Sequence, residues 1–495
     1  MTIGDGSTVE SLRSHAVPAW FDDAKLGIFV HWGLYSVPGW APTGRSLTDV
    51  VGEVAEDVDV SDPESFARLE RTVEERLGGP PFAFNPYAEW YRNTMAIDDS
   101  PTARHHAEAW GNRPYESFAE DFTSGIADWD PGAWADLFGR TGARYVVLTT
   151  KHHDGYLLWP SRHRNPHRAG WQSERDLVGE LATAVDDAGV RMGLYYSGGL
   201  DWTFGGCPIR KLSELVPAIP QSVNYAHYAD AHWRELIERY EPWILWNDIG
   251  YPRVADHLQL FADYYERCPE GLINDRFAGL TARTDVPDDV HWDFRTPEYR
   301  TFADTTDYKW ESTRGIGRSF GYNSQETDEP LLSTTELVHL LVDVVSKNGN
   351  LLLNVGPTGT GTIPELQAAR LEELGTWLDR NGEAIFETRP WMVAEADTSS
   401  GTGVRFTARR DALYATVLGG AEAGPVDIRS VQLRDNARVH LLNGRDVRWQ
   451  RTDEGGTRIH VEAPLSGPAY VLRIEPVGAA EPLPARPDRT RGADR

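Results

Sequence analysis

The feature that most constrains the fold of this chain is a series of apolar runs that each end in polar residues. In one of them, the aromatic run Trp243-Ile244-Leu245-Trp246 stops at Asn247-Asp248 and is followed by Gly250. Such a continuous apolar run is typical of a strand that is buried on both faces of a parallel sheet. The polar residues at its end predict side chains that reach the mouth of a barrel.

Eight runs share this pattern, and helical patterns separate most of them. The runs are 25–33, 144–150, 190–197, 243–248, 271–276, 290–294, 308–311 and 350–355. This alternation predicts a (β/α)8-like, TIM-type barrel that is less regular near the sixth and seventh strands. Because parallel strands end on the same face of a barrel, we expect all the polar ends to converge there.

The domain organisation follows from changes in pattern along the chain. We predict a flexible N-terminus at 1–15, a catalytic barrel at 16–389, an antiparallel β-sandwich at 390–478 and a disordered tail at 479–495. Within the barrel, residues 44–81 are acidic and contain a helical pattern at 63–77. We interpret that stretch as a solvated surface insertion without a chemical role.

Composition limits the partners and the compartment. The net charge of -26 argues against nucleic acid and anionic membrane surfaces as partners. Only Cys207 and Cys268 are present, so no disulfide framework is expected. The polar first fifteen residues contain no secretory signal, and no window has the length and hydropathy of a membrane span. We therefore expect a cytoplasmic location.

Two carboxylates stand at predicted strand ends, and they indicate the chemistry. Asp248 follows the fourth run, and Glu298 follows the sixth within Thr296-Pro297-Glu298. Paired carboxylates at a barrel mouth, with histidines and tryptophans but no phosphate-binding loop, fit glycoside hydrolysis. Taken alone, Asp248 would equally suit a helix cap or an Asx turn. Eighteen Trp and nineteen Tyr residues also suit sugar recognition, because aromatic faces stack on C–H bonds.

Three histidines at strand ends allow a competing interpretation. His31 ends the first run, and His152-His153 end the second. A metal-dependent hydrolase that uses His31, His152 and His153 would lose activity with a chelator. Adjacent side chains on an extended chain diverge, however, whereas metal ligands must converge. We therefore favour hydrogen bonding by these histidines and expect no metal or cofactor.

Six motifs together resemble the α-L-fucosidases of glycoside hydrolase family 29, over about residues 20–391. They are Gly-Ile-Phe-Val-His-Trp-Gly at 27–33, Tyr-Ala-Glu-Trp-Tyr at 87–91, Lys-His-His-Asp-Gly at 151–155, Tyr-Tyr-Ser-Gly-Gly-Leu-Asp-Trp at 195–202, Leu-Trp-Asn-Asp at 245–248 and Gly-Ile-Gly-Arg-Ser-Phe-Gly-Tyr-Asn at 315–323. The resemblance implies a (β/α)8-like domain with a C-terminal β-sandwich and no metal. It also implies hydrolysis of terminal α-L-fucosides with retention of configuration.

The same resemblance assigns roles to individual residues. It implies that Asp248 is the nucleophile, that Glu298 is the general acid/base and that Phe320 faces the methyl group of fucose. The other sugar-binding groups that it implies are His31, Glu89, Trp90, His152, His153, Tyr195, Trp246 and Arg276. Glu311 is a rival for the acid/base role. Tyr196 is a rival for Tyr195, because adjacent strand residues point to opposite faces.

The sequence leaves several alternatives open. The substrate class is a fucosylated oligosaccharide or glycoconjugate, but an α-L-galactoside would require the same mechanism. A protein of a different class, an inactive barrel that only binds fucose, would keep the pocket without turnover. The stretch 46–81 could line a leaving-group site or form an oligomer contact, so a homo-oligomer also stays open.

Overall fold

A parallel β-sheet forms the centre of the molecule. The computed structural model describes residues 9–55, 58–59, 62–278, 290–329, 331–429, 431–442 and 444–483. Seven strands form the sheet: β1 Leu26–Val30, β2 Tyr145–Lys151, β3 Arg191–Ser197, β4 Ile244–Asp248, β5 Leu272–Ile273, β6 Trp310–Gly315 and β7 Gly349–Val355. Their order is β5-β4-β3-β2-β1-β7-β6, and every pairing is parallel. The sheet curls into a TIM-like arrangement, which confirms the predicted fold class.

The gap between β5 and β6 is spanned by an irregular extended segment. Within it, Phe294 pairs with Asn274, while Arg295 and Glu298 form parallel bridges to the residues of β6. This segment occupies the position of the sixth predicted strand, which was placed at 290–294. Pro297 explains its irregularity, because a proline has no N–H to contribute to a sheet.

Helices cover the outside of the sheet. They are α1 Val9–Leu12, α2 Ala19–Ala24, α3 Leu47–Val54, α4 Pro63–Leu77, α5 Tyr91–Met95, α6 Pro101–Trp110, α7 Phe118–Gly125, α8 Pro131–Thr141, α9 Leu177–Asp187, α10 Val223–Tyr240, α11 His257–Arg267, α12 Thr334–Ser346 and α13 Glu365–Asn381. The helix predicted at 63–77 is confirmed. No helix in the described ranges combines the length and the hydropathy that crossing a bilayer requires.

The C-terminal strands form antiparallel sheets around their own core. The strands are β8 Arg389–Asp397, β9 Gly403–Ala408, β10 Leu413–Val417, β11 Gly424–Ile428, β12 Val431–Leu433, β13 Arg438–Leu441, β14 Arg448–Arg451, β15 Thr457–Val461, β16 Tyr470–Glu475 and β17 Ala480–Pro482. They group into sheets of five, three and two strands. Buried side chains from all three sheets form one hydrophobic cluster that includes Phe406, Ile459 and Leu472.

The two ends of the chain differ from their predicted descriptions. Val9–Leu12 is helical and Leu12 is buried, although this stretch falls within the predicted flexible N-terminus. Ala480–Pro482, within the predicted tail, pairs with Val431–Leu433 instead. The alternation Ala-Glu-Pro is too short to be recognised as a strand, and its partner strand supplies the pairing. Residues 1–8 and 484–495 lie outside the described residues.

Candidate active site

All eleven side chains that the sequence analysis assigns to a site line one cavity at the C-terminal ends of the strands. The cavity has a volume of about 160 Å³. The predicted residues in its wall are His31, Glu89, Trp90, His152, His153, Tyr195, Trp246, Asp248, Arg276, Glu298 and Phe320. Eight further lining residues were not predicted: Phe29, Leu47, Thr48, Phe82, Asn85, Tyr87, Ile249 and Thr313. The expected convergence of strand ends is therefore present.

Asp248 lies at the end of β4 and is held by two donors. The hydroxyl of Tyr195 donates to Oδ2 over 2.8 Å, and Nη1 of Arg276 donates to Oδ1 over 2.9 Å. Burial alone would raise the pKa of Asp248, but the guanidinium of Arg276 and these hydrogen bonds bring it below its ordinary value. Asp248 is therefore an anion in the free protein at neutral pH.

Glu298 is attached to the same guanidinium. Nη2 of Arg276 donates to Oε2 over 3.2 Å, while the hydroxyl of Tyr87 donates to Oε1 over 3.1 Å. The guanidinium is fixed by Thr296, which accepts from Nε at Oγ1 over 2.9 Å and from Nη2 at its carbonyl over 3.1 Å. One rigid planar group thus sets the positions of both carboxylates.

The two carboxylates lie at different depths. The side chain of Glu298 is 33% exposed, whereas that of Asp248 is 12% exposed. Asp248 therefore lies toward the floor of the cavity and Glu298 lies toward its opening.

Two of the histidines have a defined tautomer. The Nδ1 of His31 lies 2.7 Å from Oδ1 of Asn354, whose own amide nitrogen donates to the carbonyl of Phe320. The Nδ1 of His153 lies 2.7 Å from the hydroxyl of Ser197, which itself donates to a carbonyl. Both imidazoles therefore donate from Nδ1, and Nε2 is left as an acceptor.

Burial keeps these imidazoles neutral. It lowers the pKa of His31 to about 4 and that of His153 to about 3. It also lowers the pKa of His152 well below its ordinary value, and Nδ1 of His152 has no hydrogen-bond partner among the described residues. Neutral imidazoles on a cavity wall can exchange hydrogen bonds with hydroxyl groups.

Glu89 and Glu311 are both buried, but only Glu89 lines the cavity. Glu89 accepts the N–H of Gly321 over 2.7 Å, and burial raises its pKa to about 8. Glu311 accepts from the hydroxyl of Tyr145 and from Nε1 of Trp246, and burial raises its pKa to about 7. Glu311 lies at the N–H edge of the Trp246 indole and does not line the cavity.

The ambiguity between the two adjacent tyrosines is resolved by the direction of their side chains. Tyr195 points into the cavity, and its ring stacks on Trp246 with centroids 5.5 Å apart. Tyr196 points to the other face of the sheet, where its hydroxyl lies 3.0 Å from Nδ1 of His232.

The apolar part of the wall is aromatic. Phe29 contacts Trp246 with ring centroids 5.0 Å apart, and Phe320 lies against His31 with centroids 5.0 Å apart. The guanidinium of Arg276 stacks on Trp246, with 4.7 Å between its carbon and the ring centroid. A polar side and an apolar side thus face the same space.

Among the described residues, no three His, Cys, Asp or Glu side chains are grouped as ligands of a metal ion. The site that the structure assembles is one of hydrogen-bond donors, acceptors and paired carboxylates.

Some of the unpredicted residues carried a signal in the sequence. Tyr87 begins the motif that contains Glu89, and Thr313 follows the rival carboxylate Glu311 by two residues on β6. Leu47 and Thr48 lie within the acidic stretch, which was interpreted as surface without chemistry but was also left open as the lining of a leaving-group site. These two residues line the cavity.

A curled parallel barrel whose mouth holds paired carboxylates, neutral histidines and aromatic walls defines a class, the barrel glycoside hydrolases. The comparisons with known proteins specify the family within it. The α-L-fucosidase family profile matches residues 5–383. Human tissue α-L-fucosidase is 30% identical over 93% of this chain and 88% of its own length.

Solved structures agree. The crystal structure of Thermotoga maritima α-fucosidase in complex with fucose is 41% identical, with a TM-score of 0.79 over 95% of this chain and 100% of that one. The same enzyme in complex with a mechanism-based inhibitor has a TM-score of 0.80 at 41% identity, with the same coverage. The chain belongs to the α-L-fucosidase family of glycoside hydrolases, and its activity is that of an α-L-fucosidase.

Proposed function

We propose that the protein is a retaining exo-α-L-fucosidase in which Asp248 is the nucleophile and Glu298 is the general acid/base. The observation that carries this proposal is the guanidinium of Arg276, whose two terminal nitrogens each hold one of these carboxylates. Oxygens bound to one guanidinium lie a few ångströms apart. That arrangement favours the separation of about 5 to 5.5 Å used for retention over the wider spacing of inverting enzymes.

In the first step, Asp248 attacks the anomeric carbon as the glycosidic bond breaks. Asp248 suits this role because it is ionised and is oriented by Tyr195 and Arg276. Glu298 delivers its proton to the departing oxygen, so that the leaving group departs as a neutral alcohol. A fucosyl ester of Asp248 is formed.

In the second step, Glu298 takes a proton from water and the resulting oxygen attacks the same carbon. The ester bond breaks, Asp248 is regenerated as a carboxylate, and Glu298 is protonated again. Two inversions at one carbon give net retention. The exposed position of Glu298 supports this role, since leaving group and water must both reach it.

The walls of the cavity support fucose as the sugar. Fucose carries a methyl group where galactose carries a hydroxymethyl group, so its pocket needs an apolar wall beside hydrogen-bonding groups. The apolar wall consists of Phe29, Trp246 and Phe320. The hydrogen-bonding groups are Glu89 and the neutral histidines. The buried ring of Trp246, held by its hydrogen bond to Glu311, forms part of the floor, which favours a terminal sugar residue.

The test compares Asp248→Gly and Glu298→Gly with wild type on an aryl α-L-fucoside, with azide as an external nucleophile. We expect each variant to lose activity by a factor on the order of 10³. Azide should restore Asp248→Gly with the inverted β-fucosyl azide, and Glu298→Gly with the retained α-fucosyl azide. Near wild-type turnover by Asp248→Gly would disprove the nucleophile assignment, and azide products of the opposite anomers would reverse the two roles.

The aryl α-L-galactoside is the matched control for the sugar. Its extra hydroxyl would face the apolar wall without a partner, so we expect a kcat/KM at least about tenfold below that of the fucoside. A preference for the galactoside would overturn the proposed substrate.

A further inference from the structure

The opening of the cavity is lined by a second hydrophobic core. Helices α3 and α4 contribute to a cluster that is separate from the core of the barrel, and we call it the mouth cluster. Its buried members are Leu47, Val50, Leu69, Val73, Phe82, Ala83, Trp90, Ile97, Leu200, Trp202, Ile209 and Ile219, with Ile249 packed against them. Leu47, Phe82, Trp90 and Ile249 also line the cavity. The mouth cluster is thus both a folding unit and one wall of the site.

The position of this wall relative to the carboxylates sets what it can contact. Asp248 marks the floor of the cavity and Glu298 marks its open side, as their exposures show. Thr48, beside Leu47 at the start of α3, is exposed. The first turn of α3 is tied to the segment that carries Phe320, since Arg318 forms an ion pair of 3.2 Å with Asp49. The first turn of α3 therefore lies beside the segment that carries Phe320, at the exposed side of the cavity.

The backbone after the nucleophile brings Ile249 to the same wall. Ile249 has a φ of 58°, which is a strained conformation for a β-branched residue. Gly199 makes it possible, because a Cβ at that position would lie 1.9 Å from the carbonyl oxygen of Ile249. The N–H of Gly250 donates to the carbonyl of Arg276 over 3.0 Å and fixes the turn. The strained residue follows Asp248 directly, and its backbone conformation points the apolar side chain of Ile249 toward the mouth of the cavity.

The chemistry of the wall is uniform. Leu47, Phe82 and Ile249 are apolar, and the polar residues beside them, Thr48 and Asn85, are uncharged. The cation among the described lining residues, Arg276, is engaged with both carboxylates, and Arg318 beside the first turn of α3 is paired with Asp49. An anionic group placed here would lose water without gaining a partner and would lie near acidic Glu298.

We propose that Leu47, Phe82 and Ile249 form the leaving-group subsite, and that it selects neutral leaving groups with an apolar face over anionic ones. This inference rests on the proposed function, since it needs the sugar at Asp248. Suitable leaving groups are an aryl ring or the C–H face of a neutral hexopyranose. Acidic sugars are disfavoured.

The first test measures kcat/KM for two substrates with leaving groups of similar acidity, 4-carbamoylphenyl and 4-carboxyphenyl α-L-fucoside. Wild type should prefer the neutral substrate by about tenfold or more. Thr48→Lys, which places a cation at the mouth, should narrow this preference by about tenfold. Ala67→Lys adds the same charge on the exposed face of α4, away from the cavity, and should leave the preference unchanged. Equal effects of the two lysines would overturn the subsite.

The second test removes the apolar contact. Leu47→Ala should lower kcat/KM for 4-carbamoylphenyl α-L-fucoside by about five- to twentyfold, as expected for the lost burial of a leucine side chain. Val50→Ala is the matched control, because Val50 is buried in the same helix and cluster without lining the cavity. It should change kcat/KM less than twofold.

α-L-Fucosyl fluoride separates the two proposals, because its leaving group is too small to reach the wall. Leu47→Ala and Thr48→Lys should lose less kcat/KM on the fluoride than on the aryl fucosides, and Ala67→Lys and Val50→Ala should match wild type on it. Failure of the wild type on the fluoride would refute the proposed function itself. Normal hydrolysis of the fluoride by wild type, together with an equal loss on all substrates in Leu47→Ala, would refute the leaving-group subsite alone.

Discussion

At the scale of single residues, the site depends on groups that orient the carboxylates as much as on the carboxylates. Asp248 and Glu298 are visible in the sequence because each follows an apolar run or a matching motif. Their donors are less visible, because a tyrosine near a glutamate is common and only the fold brings them together. Tyr87 and Glu298 are separated by 211 residues along the chain, yet their side chains are joined by a hydrogen bond. No local pattern can predict such a contact.

Tyr87→Phe tests this contact. The hydroxyl of Tyr87 donates to Glu298, and burial raises the pKa of Tyr87 well above its ordinary value, so it remains a donor throughout the working range. Its loss removes the donor that holds Oε1 of Glu298 in place, so the carboxyl group is positioned less precisely for proton transfer. We expect kcat/KM for an aryl α-L-fucoside to fall by about tenfold.

Tyr299→Phe serves as the matched control. Its hydroxyl donates to the carbonyl of Arg318 and not to Glu298, while its ring also lies against Phe320. The kcat/KM of this variant should stay within about twofold of wild type. An equal loss of kcat/KM in both variants would mean that Tyr87 acts only through packing.

At the scale of the elements, register decides which side chains converge. In the pairing of β3 with β4, Tyr195 lies beside Trp246 and Ser197 lies beside Asp248. Residues two apart in a strand share a face, so Trp246 and Asp248 point into the cavity together. The sequence predicts that shared face from the period of two. It does not give the register between strands, which is set by packing across the whole sheet.

The irregular segment between β5 and β6 shows where prediction from sequence fails. The sequence marks only its first residues, 290–294, as a strand, because few apolar side chains follow and Pro297 interrupts the pattern. The segment is held by single bridges, including Glu298 with Thr313. This loose attachment places Glu298, the proposed acid/base, on the least regular part of the barrel, at its open side. Loops and irregular segments on a rigid scaffold commonly carry functional groups.

Glu311→Leu tests whether the carboxylate on β6 supports the site or acts in the reaction. The change would leave the hydroxyl of Tyr145 and Nε1 of Trp246 without their acceptor in a buried place. We expect the free energy of unfolding, measured in urea, to fall by roughly 3 kcal/mol. The remaining activity should keep the basic limb of its pH profile and should not respond to azide.

Glu298→Gln should behave in the opposite way, with little loss of stability and a large loss of activity, because its carboxylate is partly exposed. Rescue of Glu311→Leu by azide would instead identify Glu311 as the acid/base.

At the scale of the whole molecule, the barrel and the β-sandwich are joined away from the site. Trp377 of α13 donates from Nε1 to the carbonyl of Ala469 over 3.3 Å, and Arg405 of β9 bonds Asp343 of α12 over 2.6 Å. The described residues that line the cavity all belong to the barrel, and none comes from β8 onward. The described residues of the sandwich therefore contact the outer helices and do not line the cavity.

The stability of the molecule should depend on pH through its buried titratable groups. Burial lowers the pKa of His31 to about 4 and those of His153 and His232 to about 3. As pH falls below about 6.5, histidines of the unfolded chain bind protons while the buried histidines of the folded protein stay neutral, so the free energy of unfolding decreases.

The two buried glutamates have the opposite effect. Burial raises the pKa of Glu311 to about 7 and that of Glu89 to about 8. Between about pH 4.5 and those values, the two carboxyl groups stay protonated in the folded protein but are ionised in the unfolded chain. Their contribution to the free energy of unfolding therefore decreases as pH rises.

The balance of these opposed effects predicts a maximum of stability near pH 6.5. Below that pH, the stability lost through the buried histidines, which include His152, exceeds what the two glutamates contribute. Above it, the glutamates continue to lower the stability, each with a slope of up to about 1.4 kcal/mol per pH unit. Urea unfolding at pH 5, 6.5 and 8 measures this directly. Glu89→Gln removes one of the two groups and should flatten the decline between pH 6.5 and 8, while the decline toward pH 5 remains. An unchanged decline above pH 6.5 in this variant would show that Glu89 is ionised in the folded protein, and that its contact with Gly321 outweighs its burial.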